Sequence, residues 1–278
     1  MDYSFCHIHF QIKPVNVCTN SVYDPFRCIR NSIENYQVKV KWVDALEIPD
    51  KPPIFRNIQG LNVVLNDFIE YRYYKDFFTG DIRELLIDDG QCKVLHILKS
   101  AESLQELDLI NCLALEKTLS GYGRFVLHSS FIKTMGGAVL FTAPSGTGKS
   151  TQAELWKQYK NAEIINGDRA GIWKAGNKWM VGGVPWCGTS GIMKNEILPL
   201  KAVVILRQGT ENQITEMSIS AKAGRLLEQL TVNPWNREML ISAQIFCLRL
   251  CQEVPIVQLT CRPDKGAVEV LEKELMKI

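Results

Sequence analysis

Apolar and polar positions alternate in short runs along the first hundred residues. Val38-Lys39-Val40-Lys41-Trp42-Val43 is the cleanest, with one side dry and one side wet, as a half-buried strand requires. Leu61–Leu65, Ile69–Tyr74, Glu84–Asp88 and Lys93–Leu98 read as further strands between polar or glycine-bearing turns. Phe5 to Ile12 is expected to be one strand that stops at Pro14, with His7 and His9 on one face by the two-residue period. Pro49, Pro52 and Pro53 mark a loop. From about Leu104 to Leu119 the period lengthens, and Leu107, Ile110, Leu113 and Leu115 predict a helix that Gly121-Tyr122-Gly123 ends.

Beyond residue 120 the elements alternate in type. Phe125 to Ser130 and the unbroken apolar run Ala138-Val139-Leu140-Phe141 read as strands, with Gly136-Gly137 as the turn between them. A turn of small residues, Ala143 to Gly148, leads into a helix whose inner face is expected at Ala153, Leu155, Trp156 and Tyr159. Ala162 to Asp168 is a short strand, and Gly171 to Val181 a hairpin turning at Ala175-Gly176-Asn177. Gly182 to Gly191 reads as a flexible loop, and Lys201 to Leu206 as a buried strand. Helices over 220–230 and 237–251, a strand over 255–259 and a helix over 264–276 complete the chain. The expected architecture is α/β in two parts: a β-rich region over 1–120 and a nucleotide-binding domain over 121–278.

Composition narrows the partners. The 278 residues carry a formal charge of +2, which offers no field for nucleic acid or an anionic membrane surface. No stretch reaches the ~18 apolar residues of a membrane span, and the first residues lack a basic, apolar leader. The nine scattered cysteines contain no CxxC, so free thiols in a reducing cytoplasm are expected. Cys247 and Cys251 sit at helical spacing with no histidine nearby, as buried structural thiols do. His7 and His9 lack a third ligand at useful spacing. Tyr71-Arg72-Tyr73-Tyr74-Lys75 has the composition of a base-stacking surface, but the balanced charge favours strand packing with snorkelling cations.

The chemistry gathers after Phe141. Strand, glycine turn and helix in that order are the setting of a phosphate loop, here Ala143-Pro144-Ser145-Gly146-Thr147-Gly148-Lys149-Ser150-Thr151. Glycines let backbone N–H groups close around phosphate oxygens, and the helix N-terminus adds its positive dipole end. Ser145 to Thr151 are therefore expected to bind nucleotide, with Lys149 on the outer phosphates and the Ser150 hydroxyl on a magnesium ion. The motif opens on Ala143 where glycine is usual, which requires that residue to keep a negative φ. Asp168 ends the next strand, where a carboxylate faces the same crevice as acceptor base, magnesium ligand or both. His128 lies near the end of a neighbouring strand. Arg169, Arg207 and Arg225 are read as solvated surface rather than phosphate clamps.

Leu127-His128-Ser129-Ser130, Ala143 to Thr151 and Ile165-Asn166-Gly167-Asp168-Arg169 follow one another as the corresponding blocks do in the HPr serine kinase/phosphorylase family. Residues 122–275 resemble most the small HPr-kinase-like proteins found with peptide-modification systems, and Gly183 to Ser190 and Leu200 to Leu206 add to the likeness. The resemblance implies the mixed-sheet P-loop kinase core shared with phosphoenolpyruvate carboxykinase, and oligomers. It implies ATP- and magnesium-dependent phosphorylation of a serine hydroxyl on a peptide or small protein. Lys149 would bind phosphate, Asp168 would accept the proton or hold metal, and His128 would be the histidine preceding the loop. The family's paired aspartates are reduced to Gly167-Asp168-Arg169, Ser129 replaces a glycine, and no C-terminal segment linked to phosphorylase activity is matched. The loop from Pro185 to Gly191, with Trp186, is read equally as the acceptor side or as a packed connection with Trp186 in the core. The competing expectation is a non-catalytic nucleotide-binding module or NTPase regulator with a degenerate site. A GTPase is disfavoured because no Asn-Lys-x-Asp guanine reader occurs.

Overall fold

The structure, a computed structural model, describes residues 2–13, 21–28, 35–57, 60–76, 78–101 and 112–278. It is a mixed α/β protein that divides into two compact units, Met1–Leu115 and Glu116–Ile278. No helix among the described residues is long and apolar enough to cross a membrane.

The first unit is one eight-stranded sheet. Its strands are β1 (Asp2–Phe5), β2 (Ile8–Lys13), β3 (Asn35–Val43), β4 (Phe55–Arg56), β5 (Leu61–Asn66), β6 (Ile69–Tyr74), β7 (Glu84–Asp88) and β8 (Lys93–Leu98). Their order is β1-β2-β3-β8-β7-β6-β5-β4. The expected single strand from Phe5 to Ile12 is a hairpin instead. Cys6 and His7 take φ of 52° and 57°, the left-handed pair that a tight two-residue turn needs. His7 is therefore an exposed turn residue and His9 a buried strand residue, and they share no face. Arg72 does not snorkel: its head is buried and pairs with Glu70 two residues away. The helix expected from Leu104 lies partly outside the described residues. Its described remainder is α1 (Leu115–Gly121), which from Glu116 onward belongs to the second unit.

The second unit holds β9 (Phe125–Thr134), β10 (Gly137–Thr142), α2 (Lys149–Lys160), β11 (Glu163–Asn166), β12 (Arg169–Ala175), β13 (Lys178–Gly183) and β14 (Ile197–Gln208). These are followed by β15 (Gln213–Thr215), α3 (Ile219–Leu227), α4 (Arg237–Glu253), β16 (Ile256–Cys261) and α5 (Lys265–Leu275). Two long strands each serve two neighbourhoods. β9 pairs with β12 through Phe125–His128 and with β10 from Ser129 onward. β14 pairs with β13 at Ile197–Pro199 and with β10 and β16 further on. Since β12 also pairs with β13, the pairings close a circuit through both long strands. His128 thus sits inside β9, at the residue where the strand changes partner, and not near a strand end.

Both faces of β10 are covered, which explains its unbroken apolar run. Ala138 and Leu140 join a core with Phe125, Leu127, Trp179, Leu226 and Phe246, beneath α3 and α4. Val139 and Phe141 join the opposite core with Trp156, Val268 and Leu271, beneath α2 and α5. The buried face of α2 is Lys149, Gln152, Ala153 and Trp156, so Tyr159, expected inside, is 39% exposed. Cys247 and Cys251 lie on α4, and burial pushes their thiols up to about 12 and about 11.

Candidate active site

Topology gathers the site. β9 runs between β10 and β11 and is antiparallel to both, so those two strands end on the same side. The turn after β10 and the bend after β11 therefore arrive at one place, with His128 between them. The fixing bonds are local: the Thr142 hydroxyl donates to the His128 carbonyl (2.9 Å), and the Ser129 N–H donates to the Asp168 carbonyl (2.9 Å).

The turn after β10 is built by two left-handed glycines, Gly146 (φ 79°) and Gly148 (φ 113°). A Cβ on either would meet nothing within 4 Å, so glycine is required here by φ and the surrounding space is open. Ala143 does not adopt positive φ, as its place at the head of the motif demands. Gly148 is the N-cap of α2 and supplies no side-chain cap, so no side chain of the cap residue meets the first-turn N–H groups. Ser145, Ser150 and Thr151 are exposed around this opening, and Thr147 is half-buried. Lys149 is buried, and its Nζ folds back to donate to the Ala143 carbonyl (3.0 Å). Burial lowers the Lys149 pKa from its usual value, and the Asp168 charge opposes that shift.

Asp168 has each carboxylate oxygen engaged. His128 Nε2 is 3.4 Å from Oδ1, and Arg169 Nε is 3.2 Å from Oδ2. The hydrogen bond from His128 holds the carboxyl below the ordinary carboxylate range; burial opposes this, and the charges of Arg169, His128 and Lys149 assist it. The carboxylate is thus ionised, oriented and within the field of Lys149. The expected site residues His128, Lys149 and Asp168 come together, with Arg169 added. Arg225 stands apart, paired with Glu228 on the exposed side of α3, and Arg207 is exposed at the end of β14.

The loop expected to be flexible is pinned. Asn166, fully buried, donates through Nδ2 to the carbonyls of Val184 and Trp186 (3.0 Å each). Its Oδ1 accepts from the N–H groups of Asp168 and Arg169 (2.9 Å each). One side chain thus ties the Asp168 bend to the loop that covers it. β13 extends to Gly183, and Gly188–Ser190 form a short 3-10 turn. The role of Asn166 went unrecognised at the level of sequence. Its signal is the Asn-Gly-Asp order, where a short amide can cap a bend.

A nucleotide with magnesium fits the residues present. The opening has an uncapped helix start, open glycines and a buried ammonium held only by carbonyls of its own loop. Ser150 and Asp168 would hold the metal. Among the described residues no group of three or more His, Cys, Asp or Glu could hold a metal ion by itself.

The chain matches no family model and no curated protein. Among solved structures it is similar to the HPr(Ser) kinase/phosphatase from Coxiella burnetii, at 10% identity and a TM-score of 0.31, over 55% of this chain and 97% of that one. This is a distant structural likeness, and it decides nothing about the site.

Proposed function

We propose that the protein is a kinase that transfers the γ-phosphoryl group of ATP to a hydroxyl, expected to be serine, of a peptide or small protein. One observation supports this above the others: a buried lysine within the electrostatic reach of an oriented carboxylate, beside an open helix N-terminus with no side-chain cap. The N–H groups of the turn bind phosphate oxygens, and Lys149 exchanges the Ala143 carbonyl for the outer phosphates. Asp168 accepts the proton of the acceptor hydroxyl, while His128 and Arg169 fix the direction of its oxygens. Magnesium, held by Ser150 and Asp168, supplies charge neutralisation when bound with nucleotide.

A second reading has its own observation. Both Asp168 oxygens are already engaged, and its chain neighbours are Gly167 and Arg169 rather than a second aspartate, an arrangement that also suits a non-catalytic nucleotide-binding module. Incubation with γ-labelled ATP, magnesium and serine-bearing peptides separates the two. Label on the peptide supports the kinase, with Asp168→Asn losing about 10²–10⁴ of the rate and retaining nucleotide binding. Binding without transfer supports the module, and phosphate release alone supports an NTPase.

A further inference from the structure

The residues that grip Asp168 are themselves gripped, and by one short segment. After α3 the chain passes along the edge of β9 opposite β12: the His128 N–H donates to the Gln229 carbonyl (2.9 Å), and the Thr231 N–H donates to the Val126 carbonyl (2.8 Å). Leu230 forms the bridge with Leu127 between these bonds and is buried in the core. Gln229, in the turn that closes α3, and Thr231, just past the bridge, flank Leu230 on either side. Gln229 Oε1 lies 3.2 Å from Nδ1 of His128, and Thr231 Oγ1 accepts from the Arg169 guanidinium at 2.5 Å. Those are the two residues that face Oδ1 and Oδ2 of Asp168.

We propose that Gln229 and Thr231 are positioning residues, which together set the plane of the Asp168 carboxylate by holding His128 and Arg169 from behind. The inference rests on the kinase reading for its functional consequence, although the contacts do not. With oxygen acceptors facing both Nδ1 and Nε2, both ring nitrogens must donate, which holds the ring with Nε2 turned to the carboxylate; the threonine hydroxyl fixes the guanidinium by accepting from it. A base that must meet its hydroxyl within hydrogen-bond reach loses rate when its direction is free, even if substrate still binds.

The test uses Gln229→Leu and Thr231→Val, which keep approximate volume, with Gln229→Glu and Thr231→Ser restoring an acceptor oxygen. Each apolar variant is expected to lower kcat about tenfold to a hundredfold with KM for ATP unchanged, by analogy with the loss of an outer-shell partner. The oxygen-bearing variants should recover most of that rate. Unchanged kcat in both apolar variants, a loss carried equally by KM, or no recovery in the oxygen-bearing variants would overturn the proposal. A second readout needs no activity. The chain has four histidines, so the ring nitrogens of His128 can be assigned by NMR. Their shifts should move in Gln229→Leu and stay in Thr231→Val. If they do not move in Gln229→Leu, the proposal fails. If they move as expected while wild-type protein transfers no phosphoryl group, the positioning contact stands and the kinase reading fails.

Discussion

Gly188 packs against Asp168 so closely that a Cβ on the glycine would lie 2.8 Å from the carboxyl carbon. The same glycine holds φ at 54°, in the left-handed region. Both facts oppose a side chain, for separate reasons: one steric and one conformational. Gly188→Ala is expected to cost about 1–2 kcal/mol from backbone strain alone. It should also push the loop away from Asp168, so transfer should fall further than stability. Urea unfolding and labelled-ATP transfer on the same preparation check this. An alanine variant with wild-type values in both would mean the loop does not rest on the carboxylate.

Asn166 carries more of the site's architecture than any charged residue. It satisfies two carbonyls and two N–H groups while fully buried. Asn166→Ala removes all four bonds, and a buried group left unsatisfied costs about 1–3 kcal/mol before relaxation or water entry. A net loss of about 2–4 kcal/mol in urea unfolding is expected after such relaxation. Asn166→Asp keeps the acceptor and loses both donors. Its carboxylate should therefore leave the Asp168 bend ordered and release the covering loop, which limited proteolysis near Trp186 would detect.

Local pattern revealed the elements whose causes are local. Ala138–Phe141 is buried on both faces and reads as a continuous apolar run. The spacing of Gly146, Gly148 and Lys149 is set by the turn they build, and the hairpin at Gly176-Asn177 carries its own turn residues. The Cys6-His7 turn was hidden because neither residue is the Gly, Asn or Asp that marks a two-residue hairpin turn, leaving an apparently unbroken strand. β15, three residues long and paired with β16 at the sheet edge, offers too little pattern to recognise. The partner change at His128 also has no local signature, since it depends on which strands lie beside β9. Gln229 contacts His128 across 101 positions of sequence, a separation that no periodicity spans.

Asp168 makes stability depend on pH in a predictable direction. The hydrogen bond from His128 is the largest cause of its lowered pKa, below the ordinary aspartate value of 3.8. A carboxylate with a folded value lower than its unfolded one stabilises fully above that ordinary value, and the gain disappears as pH falls through the folded value. Wild-type protein and Asp168→Asn should therefore differ in urea midpoint near neutral pH and approach each other below about pH 3.8. A constant difference across that range would show that folding does not stabilise the ionised carboxylate of Asp168.

Lys149 is expected to trade stability for binding. Its ammonium is buried and its pKa lowered by desolvation, so the free protein pays to hold the charge there, with only the Ala143 and Pro144 carbonyls and the field of Asp168 in return. Lys149→Met keeps the length of the stem and removes the charge. Without nucleotide its melting temperature should equal or exceed that of wild type. With nucleotide the order should reverse, because a ligand that binds only the folded state adds about 2.7 kcal/mol at a hundred times its Kd. Thermal unfolding with and without magnesium-ATP reads both effects in one experiment. Equal nucleotide-induced shifts in the two proteins would remove Lys149 from the phosphate site.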